Sequence, residues 1–517
     1  MSKSLLQSAL FLTVATFISK LLGSVFRIPL QNIAGDDVFG IFNMVYPVYM
    51  TVLILSVAGI PIAISKLISE ARADNRPDDI RDIFVSASLL GAATGVLSFL
   101  ALFFFAEQIA VLLGGAYATY AVMVVAFALI IAPYMAVYRG FFQGYEDMRP
   151  TAISQVLEQL VRVAFILIMA IVLVEYGAAS DVVAGGVMIG SSLGALASFL
   201  YLRRRFSSAG VKPKAQVPFS WQRFKLWSVR ILKVALPICA GALVMPVLTM
   251  IDSVTVPVRL SDFGYSQAEV PDAYGVYSRG LALVQIAVVF ASALILPLIP
   301  AITGALAKKE EQEAVRLVEK SMTFSHLTSW PAAFGLVALT LPLNVALFGD
   351  TLGTTVIMIV HLSAASTAFA VLTTGILQGM NRSMHAAVIV LSGAVIKAVL
   401  NLVFVPMYGT LAAAWSTLIV YTLVSGCNIW MMKRGLPHSL QWRKFAVCLG
   451  ASVLMAAVLM APFAFVDMAD WSRLAALAYV AAGVIVGGVI FTTLVLAGRV
   501  LSREELRNLP VVKRWVK

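Results

Sequence analysis

Long apolar runs separated by short polar connections make up most of the chain. A helix needs about 20 mainly apolar residues to cross the hydrocarbon core of a bilayer. By that measure fourteen segments qualify, at about 6–30, 41–69, 83–105, 117–141, 152–176, 182–202, 231–256, 275–303, 322–348, 354–379, 385–407, 410–432, 444–467 and 473–498. Transmembrane strands would alternate apolar and polar positions. These runs are continuously apolar, so the expected fold is an all-α polytopic membrane protein. The first run is too long for a secretory leader and ends in no small-residue cleavage site, so it reads as a retained span.

Composition agrees with this pattern. Hydrophobic residues are 60% and charged residues 12% of the 517, and mean hydropathy is +0.92. A soluble chain carries about a quarter charged residues, so a soluble enzyme and a disordered chain are excluded. The formal charge of +12 reads as topology, not nucleic-acid binding. Alternate connections divide by sign. One set holds Arg72, Arg76, Arg81, Arg149, Arg203–Arg205, Lys212, Lys214, Arg223, Lys225, Arg230, Lys308, Lys309, Lys433, Arg434, Arg443 and Lys444; the other holds Asp36, Asp37, Glu107, Glu175, Asp181, Asp262, Asp272, Asp350, Asp467 and Asp470, with Arg259 and Arg473 as its cations. The Lys/Arg bias puts the first set, and with it both termini, in the cytoplasm. The basic stretch 206–230 reads as a solvated linker against anionic lipid headgroups.

Comparing the chain with itself at an offset of 235 residues aligns Gly40-Ile41-Phe42 with Gly275-Val276-Tyr277, Leu112-Leu113-Gly114 with Leu347-Phe348-Gly349, Gln143-Gly144 with Gln378-Gly379, and Arg162 with Lys397. Chance explains leucine matches well, but a shared Gln-Gly turn and a shared intramembrane cation poorly. The expected organisation is two parallel six-helix lobes, 1–205 and 231–435, around a central cavity, with 206–230 as the linker and 436–517 as two further helices and a tail. Parallel repeats place the substrate site at their interface.

Ionisable residues inside spans cost about 2.5–3.5 kcal/mol each on insertion scales and usually line a cavity. Lys20, Ser24 and Arg27 share one helix face at i, i+4 and i+7. Lys20 stands about 14 residues in, roughly 21 Å from the cytoplasmic end and beyond snorkelling reach of it, whereas Arg27 can snorkel outward. Glu158 and Arg162 form an i, i+4 pair, with Arg162 either neutralised there or shared with a ligand. Lys397 has Asn401 one turn on and no acid at i±3 or i±4, so it calls for a water-filled cavity or an anion. Arg279 is either an interface anchor or a site residue, and Asp252 is a candidate partner for it.

The excess of cations points to a cavity suited to a phosphate or diphosphate, with Glu158 and Asp252 as the candidate ion-coupling groups. No catalytic residue is expected: there is no Walker motif and no Ser/His/Asp arrangement. No metal or other cofactor is expected either, since His326, His361, His385 and His438 are scattered and Cys239, Cys427 and Cys448 lie in apolar runs.

Several motifs resemble the multidrug/oligosaccharidyl-lipid/polysaccharide (MOP) exporter superfamily, in particular the branch of stage V sporulation protein B and the lipid II flippase MurJ. They are Ser19-Lys20-Leu21-Leu22-Gly23 with Phe26-Arg27, the run Gly59 to Leu67, Tyr138-Arg139-Gly140-Phe141-Phe142-Gln143-Gly144, Gln155 to Arg162, and Tyr277-Ser278-Arg279. The resemblance implies a non-enzymatic flippase of an undecaprenyl-diphosphate-linked glycan in the bacterial cytoplasmic membrane. Lys20, Arg27 and Arg279 would contact the diphosphate, and membrane lipids and cell-wall synthesis proteins would be partners. The flippase's second-span arginine and acid have no counterpart here, where Gly40 and apolar residues stand. The rival reading is a cation or drug antiporter of the same superfamily.

Overall fold

The computed structural model describes residues 3–57, 59–209, 218–439, 441–468 and 470–500. Among these the chain forms seventeen α-helices and no strand. The helices are α1 (Lys3–Val25), α2 (Arg27–Val57), α3 (Ile60–Ala73), α4 (Pro77–Phe104), α5 (Ala106–Leu112), α6 (Thr119–Gly144), α7 (Arg149–Glu175), α8 (Ser180–Ser208) and α9 (Trp221–Phe263). There follow α10 (Val270–Ala307), α11 (Glu311–Ala338), α12 (Thr340–Phe348), α13 (Thr354–Gly379), α14 (Ser383–Tyr408), α15 (Thr410–Gly435), α16 (Trp442–Met460) and α17 (Arg473–Ala497).

Eleven helical segments among the described residues are long and apolar enough to cross a membrane, or twelve if α11 and α12, bent by 72°, are one broken span. Fourteen spans were expected, and the lower tally has identifiable sources. The segment Phe11–Ala73 counts once although it is 63 residues long, about 95 Å at 1.5 Å per residue. It takes in both the first and second expected spans, and its backbone leaves helical geometry at Gly35 (φ 82°, ψ 175°). The expected eighth span coincides with α10, of which only Leu298–Ala307 is tallied, as a shorter apolar helix.

The chain divides into two compact units, Met1–Ser278 with Ala386–Ser416, and Arg279–His385 with Thr417–Lys517. In the first, α3, α4, α6, α8 and the start of α9 share a core of Ile64, Ile68, Ile83, Phe141, Leu202 and Trp227. In the second, α16 and α17 pack on α11 through Ala338, Cys448, Met455, Leu459 and Phe491, with Trp330 and Phe334 alongside. The two helices outside the repeat are thus fastened to the unit they follow.

Part of the expected linker, 210–217 with Lys212 and Lys214, and the tail 501–517 lie outside the described residues. The described remainder is not a free linker. It begins α9 with Ser220 accepting from the Arg223 amide at 3.4 Å, and the Arg223 guanidinium donates to Asp82 on α4. Asp82 has no exposed surface and also accepts from Arg81 at 2.9 Å. The turn before α10 is capped in the same manner: the Ser266 hydroxyl and amide donate to Glu269 at 2.7 and 2.9 Å, which holds that carboxyl below its ordinary range.

Positions matched by the 235-residue offset share backbone features. After Gln143-Gly144 and Gln378-Gly379 the chain turns identically: Glu146 (φ 63°) and Asn381 (φ 59°) are left-handed, and their amides donate to Gln143 and Gln378 at 2.9 and 3.0 Å. Each glycine carbonyl accepts from a hydroxyl, Ser69 at 3.1 Å and Thr303 at 2.9 Å. Gly114 and Gly349 both have positive φ, 101° and 85°.

One contact is reciprocal under the same offset. A Cβ at Gly40 would lie 1.9 Å from the Pro271 carbonyl oxygen, and one at Gly275 would lie 2.0 Å from that of Asp36. Asp36 and Pro271, like Gly40 and Gly275, are repeat equivalents, so each copy presents the same patch to the other, as at a two-fold axis. Only glycine allows α2 and α10 this approach. A Gly40→Val variant is expected to lose about 1–3 kcal/mol through overpacking, read as a lower melting temperature in detergent. Gly450→Ala, where a Cβ meets nothing within 4 Å, should melt like the parent protein. Equal melting of both variants would contradict the close crossing.

Candidate functional site

Helix α7 carries Ser154, Glu158 and Arg162 at intervals of four, which puts all three on one face. That face is met by Arg139 of α6. Its Nη2 donates to Glu158 Oε2 at 2.8 Å and to Ser198 Oγ of α8 at 3.1 Å, and its Nε donates to Ser154 Oγ at 3.0 Å. From the other side Arg162 donates to Glu158 Oε1 at 2.6 Å and to Gln159 at 3.2 Å, while its buried Nε has no hydrogen-bond partner. Glycines bring α8 this close: a Cβ at Gly190 would stand 2.6 Å from the Arg162 carbonyl oxygen, and one at Gly194 2.6 Å from that of Glu158.

The joint between α1 and α2 lies beside this cluster. Thr16 donates to Gln155 at 3.1 Å, and a Cβ at Gly23 would be 2.8 Å from Gln159 Nε2. Arg27 opens α2 with 6% of its surface exposed. Its guanidinium stands over the Tyr46 ring, 5.9 Å from the centroid, and Tyr46 in turn stacks on Phe42 at 5.2 Å. Among the described residues no carboxylate lies within ion-pair distance of Arg27, and its Nε has no hydrogen-bond partner. Among the described residues, Glu158 is the carboxylate that Arg139 and Arg162 bind, and Arg27 has none in ion-pair contact. Lys20 lies on the exposed side of α1, and the Ser24 hydroxyl donates to the Lys20 carbonyl at 3.0 Å.

Lys397, expected to lack an acid, finds one on a different helix. Its Nζ donates to Asp252 Oδ2 at 2.6 Å, and both side chains are buried. Asn401 donates to Asp252 Oδ1 at 3.0 Å and to Thr255 at 2.9 Å, and the Tyr277 hydroxyl donates to Asp252 at 3.2 Å. A search along α14 alone could not reveal a partner 145 residues away. Asp252 therefore serves Lys397. Within the second unit, fully buried Arg279 binds Asp350 through two donors at 2.7 and 3.0 Å and Asn344 at 3.3 Å, and stands over Phe348 at 4.9 Å.

Sequence reasoning missed Arg139, Tyr46 and Asp350 as parts of these networks. Arg139 sits in the last turns of an apolar run, where a cation reads as a span-end anchor; its place in the Tyr-Arg-Gly motif was the available signal.

Apolar helices long enough to span a bilayer, with ionised side chains neutralised among them, define a multi-pass membrane protein. The chain belongs to the polysaccharide biosynthesis protein family, whose model matches residues 5–306, more than half of its length. Among its relatives in Bacillus subtilis are the uncharacterized membrane protein YabM (29% identical, covering 98% of this chain and 94% of the relative), the lipid II flippase MurJ (28%; 85% and 84%) and stage V sporulation protein B (24%; 99% and 99%). The fold is that of lipid II flippase MurJ in an inward closed conformation (TM-score 0.64, 15% identical, 94% and 98% covered). It is also that of an inward-facing multidrug resistance MATE family transporter of the MOP superfamily (0.63, 14%, 80% and 94%).

Removing one partner of a buried ion pair costs about 3–5 kcal/mol, because the other charge is stranded. Lys397→Ala is accordingly expected to melt well below the parent, and Lys397→Met combined with Asp252→Asn to regain most of the loss. Equal destabilisation by the single and double variants, measured by thermal unfolding in detergent, would show that the pair is not the cause.

Proposed function

We propose that this protein is a flippase that moves an undecaprenyl-diphosphate-linked glycan, lipid II or a related cell-wall or polysaccharide precursor, from the cytoplasmic to the outer leaflet. Its setting is the bacterial cytoplasmic membrane, with both termini in the cytoplasm, and it acts as a transporter, not an enzyme. The observation that carries the reading is Arg27, a buried guanidinium with no carboxylate beside it. Such a group in an apolar interior favours an anionic ligand.

The charge balance supports the same ligand class. Arg27, Arg139 and Arg162 exceed Glu158 by two positive charges, and a diphosphate diester carries one negative charge on each phosphate. Relatives named as a lipid II flippase and a sporulation protein agree in direction. The headgroup enters between two lobes, 1–205 and 231–435, joined by 206–230, while the prenyl tail stays in lipid. Lys20, Ser24 and Arg27 receive the diphosphate with Arg162, whereas Arg279 is held by Asp350, and Lys397 and Asn401 by Asp252. Rocking of the lobes then exposes the headgroup outside, where cell-wall synthesis proteins take it up.

The antiporter reading has the MATE likeness in its favour and would use Glu158 and Asp252 for ion coupling. Both carboxylates already bind cations, Arg139 and Arg162 in one case and Lys397 in the other, which weighs against it.

The test is transport of a fluorescent lipid II analogue in proteoliposomes. Arg27→Gln and Lys20→Ala are each expected to lower outward exposure at least about tenfold, through loss of a charge-assisted contact, at unchanged protein level. Unimpaired transport by Arg27→Gln would overturn the reading, and sodium- or proton-driven dye efflux by the parent protein would favour the antiporter.

A further inference from the structure

The arrangement around Glu158 has a feature that intrahelical charge pairing does not require. Each carboxylate oxygen takes a different guanidinium, Oε2 from Arg139 and Oε1 from Arg162, which is how two arginines grip one phosphate. The three side chains are not equally fixed. Arg139 is also held by Ser154 and Ser198, with Ser154 itself anchored to the Thr151 carbonyl at 2.7 Å. Arg162 is also held by Gln159. Among the described residues Glu158 has side-chain hydrogen bonds to the two arginines alone, and its side chain is the most exposed of the three at 15%. The arginines therefore keep their places if Glu158 turns away, whereas nothing else retains Glu158.

We propose that Glu158 is an internal stand-in for the headgroup phosphate. It holds Arg139 and Arg162 while the protein is empty and gives them up to an entering diphosphate, so that Arg139 becomes a headgroup arginine beside Arg27 and Arg162. Without Glu158 the empty site would carry adjacent uncompensated guanidiniums in a poorly solvated interior, a costly state. A diphosphate brings two charges where Glu158 brings one, so it competes successfully. A singly charged anion offers no gain over the side chain it must displace. Glu158 is thus a positioning residue that also selects for the number of charges on the ligand. The proposal rests on the diphosphate-headgroup reading above.

The test uses the full-length protein in detergent and geranyl-diphosphate-linked N-acetylglucosamine as probe, with the corresponding monophosphate diester for comparison. Glu158→Gln should bind the diphosphate probe about tenfold more tightly than the parent, gain more thermal stabilisation from it, and accept the monophosphate that the parent discriminates against. Arg139→Gln should bind the diphosphate about tenfold more weakly, and the gain should vanish when both substitutions are combined. Glu158→Asp keeps the charge but cannot span both arginines, so it should show a smaller gain and serves if the glutamine variant misfolds. Unchanged or weaker affinity in a folded Glu158 variant, or unchanged affinity in Arg139→Gln, overturns the proposal while leaving the headgroup reading intact. If neither the parent nor any variant binds the diphosphate probe, the headgroup reading fails and takes this proposal with it.

Discussion

The cost of carrying an ionised group out of water governs the organisation of this chain. Hydrocarbon cannot solvate a charge, so each one that the sequence places among apolar helices must find a counter-charge, a hydrogen-bonding cage or an anionic guest. Most find the first. Asp82 joins the start of α9 to α4, Asp252 joins α9 to α14, Glu158 joins α7 to α6, and Asp350 holds α10 from the loop after α12. The ion pairs thus act as long-range ties between helices whose lipid-facing surfaces contain little that would fix their register. Arg27 stands outside this scheme, covered by Tyr46 and buried without an acid.

How much of this the sequence disclosed depended on the range of the interaction. Helices and their approximate limits were legible because an apolar run declares itself residue by residue. The i, i+4 pairing of Glu158 with Arg162 was legible for the same reason, since one helix fixes it. The partners of Lys397 and Arg279 were not. Each lies on another segment, and apolar patterning does not say which helices meet. Arg139 was overlooked because a cation near the end of a span usually reaches for water, and only the packing of α7 and α8 shows that this one turns inward.

The repeat illustrates the opposite case. Its signal was a handful of matches among apolar residues, weak as statistics but tied to positions where the backbone does something unusual. Left-handed turns at Glu146 and Asn381, and positive φ at Gly114 and Gly349, recur in both copies. Matches that coincide with conformational demands carry more weight than matches between leucines. The compact units nevertheless differ in extent from the repeats, because most of α9, the start of α10 and α14, in the second copy by sequence, fall in the first unit.

The crossing of α2 and α10 is backbone against backbone, with Gly40 and Gly275 facing the carbonyls of Pro271 and Asp36. Interlocked side chains act as teeth that must be lifted before two helices can slip. A pair of bare glycine surfaces has no such teeth, and the two backbones touch directly. Because Gly40 and Gly275 lie on the two sides of one crossing, a bulkier residue at either would press against the other helix and part the same pair.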